Sequence, residues 1–290
     1  MRPAVALRLG RVSNLPTVWT NVLAGMVLSG HAVADWRLAG TLVAVSLAYV
    51  GGMYLNDAFD AEVDALERPH RPIPSGEASR NAVFAIGLAL LATHILLLAV
   101  VGYVPAGGTG SPPVLAGLAL AAAIVIYDRW HKANPLSTVV MGLCRVLVYV
   151  IAGYSVADTL PEALWFGAAM LLCHLIGLSY AARQETLARV ENLWPLVLLA
   201  VPLMYGMWLV FTDVTVLPFW VALVVVVVYA VHILVRGARG TVPMAVVTLI
   251  AGISLVDSML IAASGHLWWA VIAAAGFGLT VLLQRYVPGT

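Results

Sequence analysis

The stretch YLNDAFDAEVDALERPHRPIPSG, beginning at Tyr54, gathers Asp57, Asp60, Glu62, Asp64 and Glu67 at the end of a run that is otherwise hydrocarbon. At about 100° per residue on a helix, Asp57, Asp60, Asp64 and the neighbouring Asn56 share one face roughly 100° wide, while Glu62 points to the other side. Three converging carboxylates repel one another unless positive charge sits among them. A hard divalent cation answers that need. Magnesium takes a few carboxylates, waters and phosphate oxygens, and leaves room for a substrate to complete its shell. Arg68 and Arg71 follow a short distance on, and guanidinium groups suit phosphate oxygens. Together these residues suggest a diphosphate held through Mg2+. A solvated helix end with mixed charges is the plain alternative, and the one-face spacing favours a site.

The elements that must position this cluster belong to a membrane protein. Of 290 residues, 62% are hydrophobic and 10% charged, with a mean hydropathy of +0.98. A soluble domain is nearer half apolar and a quarter charged. A net charge of +1 and a pI of about 7.9 give nucleic acid nothing to hold. Cys144 and Cys173 lie in apolar runs without CxxC spacing and read as packed, reduced thiols. The start has basic residues followed by an apolar run, as a signal peptide does. It lacks a clear small-residue cleavage site and reads as a first retained helix.

Cutting the chain at its polar punctuation yields about ten apolar segments, 15–29, 38–55, 82–104, 114–127, 138–156, 163–182, 193–211, 217–235, 242–263 and 268–285. Ser264-Gly265-His266 separates the last two. If the amino terminus is cytoplasmic, that side carries Arg2, Arg8, Arg11, Arg68, Arg71, Arg80, Arg129, Lys132, Arg183, Arg189, Arg236, Arg239 and Arg285. The opposite side has Arg37 beside Asp35, Asp158, Glu162 and Asp213. The positive-inside rule thus places the longer loops, 56–80 and 183–192, in the cytoplasm. The expectation is one multi-pass transmembrane domain over 1–290, with its polar residues collected at one face of the bilayer.

At NDAFDAEVDALERPHRPIPSG the sequence resembles the UbiA superfamily of intramembrane prenyltransferases. The superfamily's NDxxDxxxD motif after the second helix is matched by Asn56, Asp57, Asp60 and Asp64, and its arginine-containing RPI-x-x-G stretch by Arg71, Pro72, Ile73 and Gly76. IYDRWHKANPLSTVVMGLCRVLVYVIAG is similar to the fourth-to-fifth helix segment, with Tyr127, Lys132, Gly142 and Arg145 in order. The resemblance runs from about Arg11 to Ala263, and the final helix is additional to the usual nine. It implies an all-α ring of about nine to ten transmembrane helices around a central cavity open to the cytoplasm. It further implies transfer of an isoprenyl group from an isoprenyl diphosphate to a small-molecule acceptor. Asp57, Asp60 and Asp64 would hold Mg2+, supported by Asn56, while Arg71, Lys132 and Arg145 would hold the diphosphate. The pairing of ARQE with YD-x-WHK resembles the EboC-like branch, which admits a polar, cyclitol- or sugar-like acceptor.

The sequence departs from the superfamily at its second aspartate motif, YAxxDxxxD. Here SYAARQETLARVENLWP puts Gln184 and Ala188 where aspartates would be. Either Glu185 is a lone metal ligand, or Arg183 replaces the second ion with its own charge on the diphosphate, or catalysis is lost. The second explanation requires no lost function. Asp128 reads equally as a helix-surface ion pair with Lys132 at i+4 and as a supplementary metal ligand or base for the acceptor.

Arg145 and Asp257 lie within spans, where an unpaired charge is expensive. Asp257 reads as the structural partner of a buried cation or hydroxyl rather than as a catalytic group. Asn14 stands near the cytoplasmic mouth, where the diphosphate should sit, and Asn21 reads as a bond between helices. His94, His174 and His232 read as core histidines, Val224 to Val228 as lipid-facing bulk, and Trp268 and Trp269 as interfacial anchors. Competing functions are a terpene cyclase of the same fold, which needs no acceptor, a non-catalytic membrane scaffold, and a transporter. The chain shows no internal repeat of the transporter kind. A CDP-alcohol phosphotransferase would need a DGxxAR signature, which is absent.

Overall fold

The computed structural model describes residues 1–31, 35–104, 108–131, 134, 136–183, 194–236 and 241–287. The regular structure among these is helical: α1 (Pro3–Leu9), α2 (Leu15–Leu28), α3 (Trp36–Glu67), α4 (Arg80–Tyr103), α5 (Pro112–Trp130), α6 (Ser137–Tyr154), α7 (Glu162–Arg183), α8 (Ala200–Thr212), α9 (Leu217–Arg236), α10 (Thr241–Ala263) and α11 (Leu267–Gln284). Among the described residues, eight segments are long and apolar enough to cross a membrane, one within each of α3–α7 and α9–α11. The protein is a multi-pass membrane protein. α2, with 14 residues, and α8, with 13, are shorter.

The boundaries differ from the hydropathy reading where polar residues continue a helix. The second segment was expected to end at Leu55, yet α3 runs on to Glu67. Nothing between Asn56 and Glu67 breaks a helix, and Pro69 then disfavours helical backbone at Arg68. With 32 residues, α3 is about 48 Å long against a hydrocarbon core of about 30 Å, so its acidic last turns reach the membrane surface. The 193–211 segment is not one helix where it is described. Trp194–Leu199 is a 3-10 turn and α8 follows from Ala200. Pro202 lacks the N–H that one continuous helix would need. Between α10 and α11 the expected break is present, and Gly265 takes φ +80° there, backbone that a side chain would strain.

α10 is the most enclosed span, with 78% of its apolar window buried, and it packs against α2, α7, α9 and α11. α6 bridges α2, α5 and α7, while α3 lies against α4, α5 and α2. Small residues allow the closest approaches. On α2, a Cβ at Gly25 would lie 2.7 Å from the Tyr149 carbonyl oxygen of α6. On α4, one at Gly87 would lie 2.8 Å from Leu55 of α3.

Several sequence readings need correcting. His94 and His174 are core residues bonded to the Ala44 and Leu249 carbonyls, but His232 is exposed on α9. Within Val224 to Val228, Val227 is buried in the core, because α9 turns one stripe of the run inward. Trp268 is exposed, whereas Trp269 leans on the core.

Candidate active site

A cavity of about 430 Å3 runs between α2, α3, α5, α6, α7 and α10. Along α3 its lining extends from Glu67 to Val45, about 33 Å at 1.5 Å per residue. One end is polar, with Arg11, Asn14, Asn56, Asp60, Asp64, Arg68, Arg71, Asp128 and His131. The other is apolar, with Val18, Val45, Leu120, Ile124, Val148 and Ile250.

The helical spacing of the acidic stretch produces the expected face. Asn56, Asp57, Asp60 and Asp64 are all buried, whereas Glu62 is exposed and pairs with Arg80 at 2.8 Å. Asp57 Oδ1 lies 3.0 Å from Arg11 Nη2 and 3.5 Å from Arg71 Nη1, and Arg71 Nη1 donates to Asp64 Oδ2 at 2.8 Å. Asp60 Oδ2 is 3.4 Å from His131 Nε2. Asn56 donates to Asp128 Oδ1 at 3.1 Å, while Asp128 Oδ2 is buried without a hydrogen-bond partner among the described residues. Asp128 is buried and faces Asn56 at the cavity, while Lys132, its alternative partner, lies outside the described residues.

Arg11 stands in the turn that joins α1 to α2, outside the spans, with φ 41° in the left-handed region. Burial is the largest single influence and opposes its charge, but Asp57, Tyr49, Tyr127 and Asp128 together outweigh it, so its pKa is raised. His131 caps the end of α5 and stacks on Tyr127 at 5.0 Å. Burial is the largest single influence and lowers its pKa, but the hydrogen bond to Asp60 together with the charges of Asp60 and Asp128 more than reverses that.

Other predicted residues fall at two levels. Asn14 is buried at the mouth, where Gln284 of α11 donates to its Oδ1 at 2.7 Å. Arg145 lines the cavity from the middle of α6, with its guanidinium 5.6 Å from the Tyr49 ring centre. Asn21 joins α2 to both Arg145 and Asp257, in keeping with its expected role between helices. Cys144 lines the cavity beside Arg145 as a free thiol. Lys132 and Glu185 lie outside the described residues. Arg183 closes α7, and its side chain is outside the description.

The donor set at the mouth is all oxygen apart from His131, the chemistry of a hard cation. Among the described residues, no three acidic, cysteine or histidine side chains converge on one point that could hold an ion. Arg11 and Arg71 stand among the aspartates and supply the positive charge there. Asp128 Oδ2, without a hydrogen-bond partner among the described residues, adds a buried oxygen at the same mouth, so the residue types there suit a hard cation.

A profile of the UbiA prenyltransferase family matches residues 18–237. The chain belongs to the UbiA prenyltransferase family. A relative named digeranylgeranylglyceryl phosphate synthase from Methanopyrus kandleri is 29% identical over 171 residues, 59% of this chain and 59% of that protein. Another, named protoheme IX farnesyltransferase, from Exiguobacterium sibiricum, is 30% identical over 157 residues, 50% of this chain and 48% of that protein. The chain thus spans 59% or less of these two relatives. Among solved structures, one described as digeranylgeranylglyceryl phosphate synthase in membranes superposes with a TM-score of 0.63 at 16% identity, covering 90% of this chain and 97% of that one. A UbiA homolog from Aeropyrum pernix K1 gives 0.54 at 14% identity, covering 95% and 98%. At these identities the likeness shows the UbiA fold.

Within this UbiA chain, the residues that sequence reasoning missed are Arg11, Tyr49 and His131. His131 was within reach of spacing, since it follows Tyr127 by four residues and Asp128 by three on one helix face. Arg11 was counted only as loop charge, and its partner Asp57 is 46 residues away.

Proposed function

We propose that this chain is a Mg2+-dependent intramembrane prenyltransferase that moves an isoprenyl group from an isoprenyl diphosphate to a small-molecule acceptor. The observation that carries this reading is the cavity itself. Arginines and aspartates share its mouth, and the space behind them is apolar and long. A charged head and a hydrocarbon tail each meet matching walls, and the tail stays out of water. Asp57, Asp60 and Asp64, with Asn56 behind them, would hold Mg2+. A bound ion supplies compensation for the charge that develops on a departing diphosphate.

The chain's own groups carry the rest. Arg11 and Arg71 bind phosphate oxygens, for which guanidinium groups are suited. The aliphatic walls exclude water from the allylic cation left behind, so that the acceptor rather than water captures it. Asp128 Oδ2, buried and without a hydrogen-bond partner among the described residues, receives the proton that a hydroxyl acceptor gives up. The polar mouth admits an acceptor with a polar headgroup, in keeping with a cyclitol- or sugar-like one. The mouth faces the cytoplasm, a placement supported by the gathering of arginines on that side. A non-catalytic scaffold is the second reading, favoured by the arginine pairs that already satisfy Asp57 and Asp64.

The test is binding of geranylgeranyl diphosphate to the detergent-purified protein, with and without Mg2+, for wild type and Asp60→Ala. Mg2+-dependent binding that weakens at least about tenfold in the variant is the expected result. Binding indifferent to both Mg2+ and Asp60 would leave the scaffold reading standing.

A further inference from the structure

Deeper than the mouth, a second polar cluster crosses three helices inside the bilayer. Asp257 on α10 is fully buried and accepts three hydrogen bonds, from Thr20 Oγ1 at 2.5 Å, Asn21 Nδ2 at 2.8 Å and Tyr149 OH at 2.5 Å. Asn21 in turn accepts from Arg145 Nη1 at 3.0 Å, and Thr17 accepts from Arg145 Nη2 at 3.1 Å. Among the described residues the carboxylate does not form a direct ion pair with Arg145. Its charge reaches the guanidinium through the Asn21 amide.

The arrangement has a physical reason. A cation at this depth needs a counter-charge, because hydrocarbon does not solvate it. A direct, two-pronged bridge to a carboxylate would occupy the edge of the guanidinium that a phosphate would otherwise take. With a neutral amide in between, Arg145 is compensated but, among the described residues, spends two of its five N–H groups, both on neutral oxygens. The rest of the guanidinium stands in the cavity wall beside Tyr49.

We propose that Asp257 is a positioning residue for Arg145, an indirect counter-charge that holds the guanidinium in the cavity wall with donors free for a phosphate oxygen of the donor. This rests on the prenyltransferase reading for the ligand, but not for the coupling between the two residues. Thr20 and Tyr149 complete the device by fixing the carboxylate from α2 and α6.

A double-mutant cycle on the 290-residue chain in detergent tests it, with Asp257→Asn, Arg145→Gln and the two combined. Each is read by thermal unfolding and by binding of geranylgeranyl diphosphate with Mg2+. Asp257→Asn is expected to weaken binding about tenfold, and the double variant to bind no worse than Arg145→Gln alone. The double variant is also expected to unfold several degrees above Asp257→Asn, because no uncompensated charge remains. Additive effects, or wild-type binding by Asp257→Asn, overturn the proposal. If Asp257→Asn does not fold, Tyr149→Phe carries the same test. A threefold weakening that disappears in the Arg145→Gln background supports the proposal, and unchanged binding overturns it. If wild type binds no geranylgeranyl diphosphate, the prenyltransferase reading has failed for a donor of that length, and the thermal cycle alone decides. Coupled unfolding then upholds the pairing and additive unfolding sinks it.

Discussion

Arg11 combines two properties that rarely occur together, a left-handed backbone at φ 41° and a guanidinium paired with Asp57 at 3.0 Å. Replacing it separates them. Arg11→Gly and Arg11→Ala both lose the ion pair and should weaken binding of geranylgeranyl diphosphate alike, but only alanine keeps the backbone strain. The glycine variant is therefore expected to be more stable by about 1 kcal/mol in thermal unfolding, and equal stabilities would show the turn to be unstrained. At this scale the acidic face was legible because helical spacing is local: Asn56, Asp57, Asp60 and Asp64 are buried together as their angles require. The arginine and histidine that face them were less so. Arg11 meets Asp57 across 46 residues, a pairing that no local period encodes. Asp257 was legible in kind, as the partner of something buried, but its three donors come from two distant helices.

At the scale of the helix, hydropathy located the apolar segments, since each must fill a similar thickness of hydrocarbon. It missed their ends, which are set by capping and by proline rather than by lipid. The polar last three turns of α3 are the clearest case, and they are the ones that carry the site. Contacts between helices are more selective. Gly25 meets α6 backbone, with Cβ positions 2.7 and 2.9 Å from Tyr149 O and Cα, and backbone does not swing aside. Gly25→Ala should thus push α2 from α6 and cost about 1–3 kcal/mol, measured as a lowered unfolding temperature. Gly278 on α11 has open space around it, so Gly278→Ala should be neutral or stabilising by about 0.5–1 kcal/mol. Equal effects of the two would mean that α2 and α6 are not held as closely as described.

At the scale of the whole molecule, the UbiA fold brings the chain's late helices against its early ones. α10 and α11 pack on α2, and Gln284 reaches Asn14 at the mouth across 270 residues. The mouth and the deep polar cluster are therefore assembled from both ends of the chain, with hydrocarbon packing between them. That assembly has a consequence for how the protein is made. Asp257 follows Tyr149 by 108 residues, an interval of roughly 5–20 s at ordinary rates of synthesis. During it, α6 enters the bilayer with Arg145 near its centre and no counter-charge yet made, a placement that costs about 3 kcal/mol. A chain stopped after Arg236 should accordingly integrate α6 poorly, seen as protease sensitivity of that helix in isolated membranes, and Arg145→Leu should restore its integration. The last wall of the cavity would then be the one that lets an earlier helix stay in the membrane.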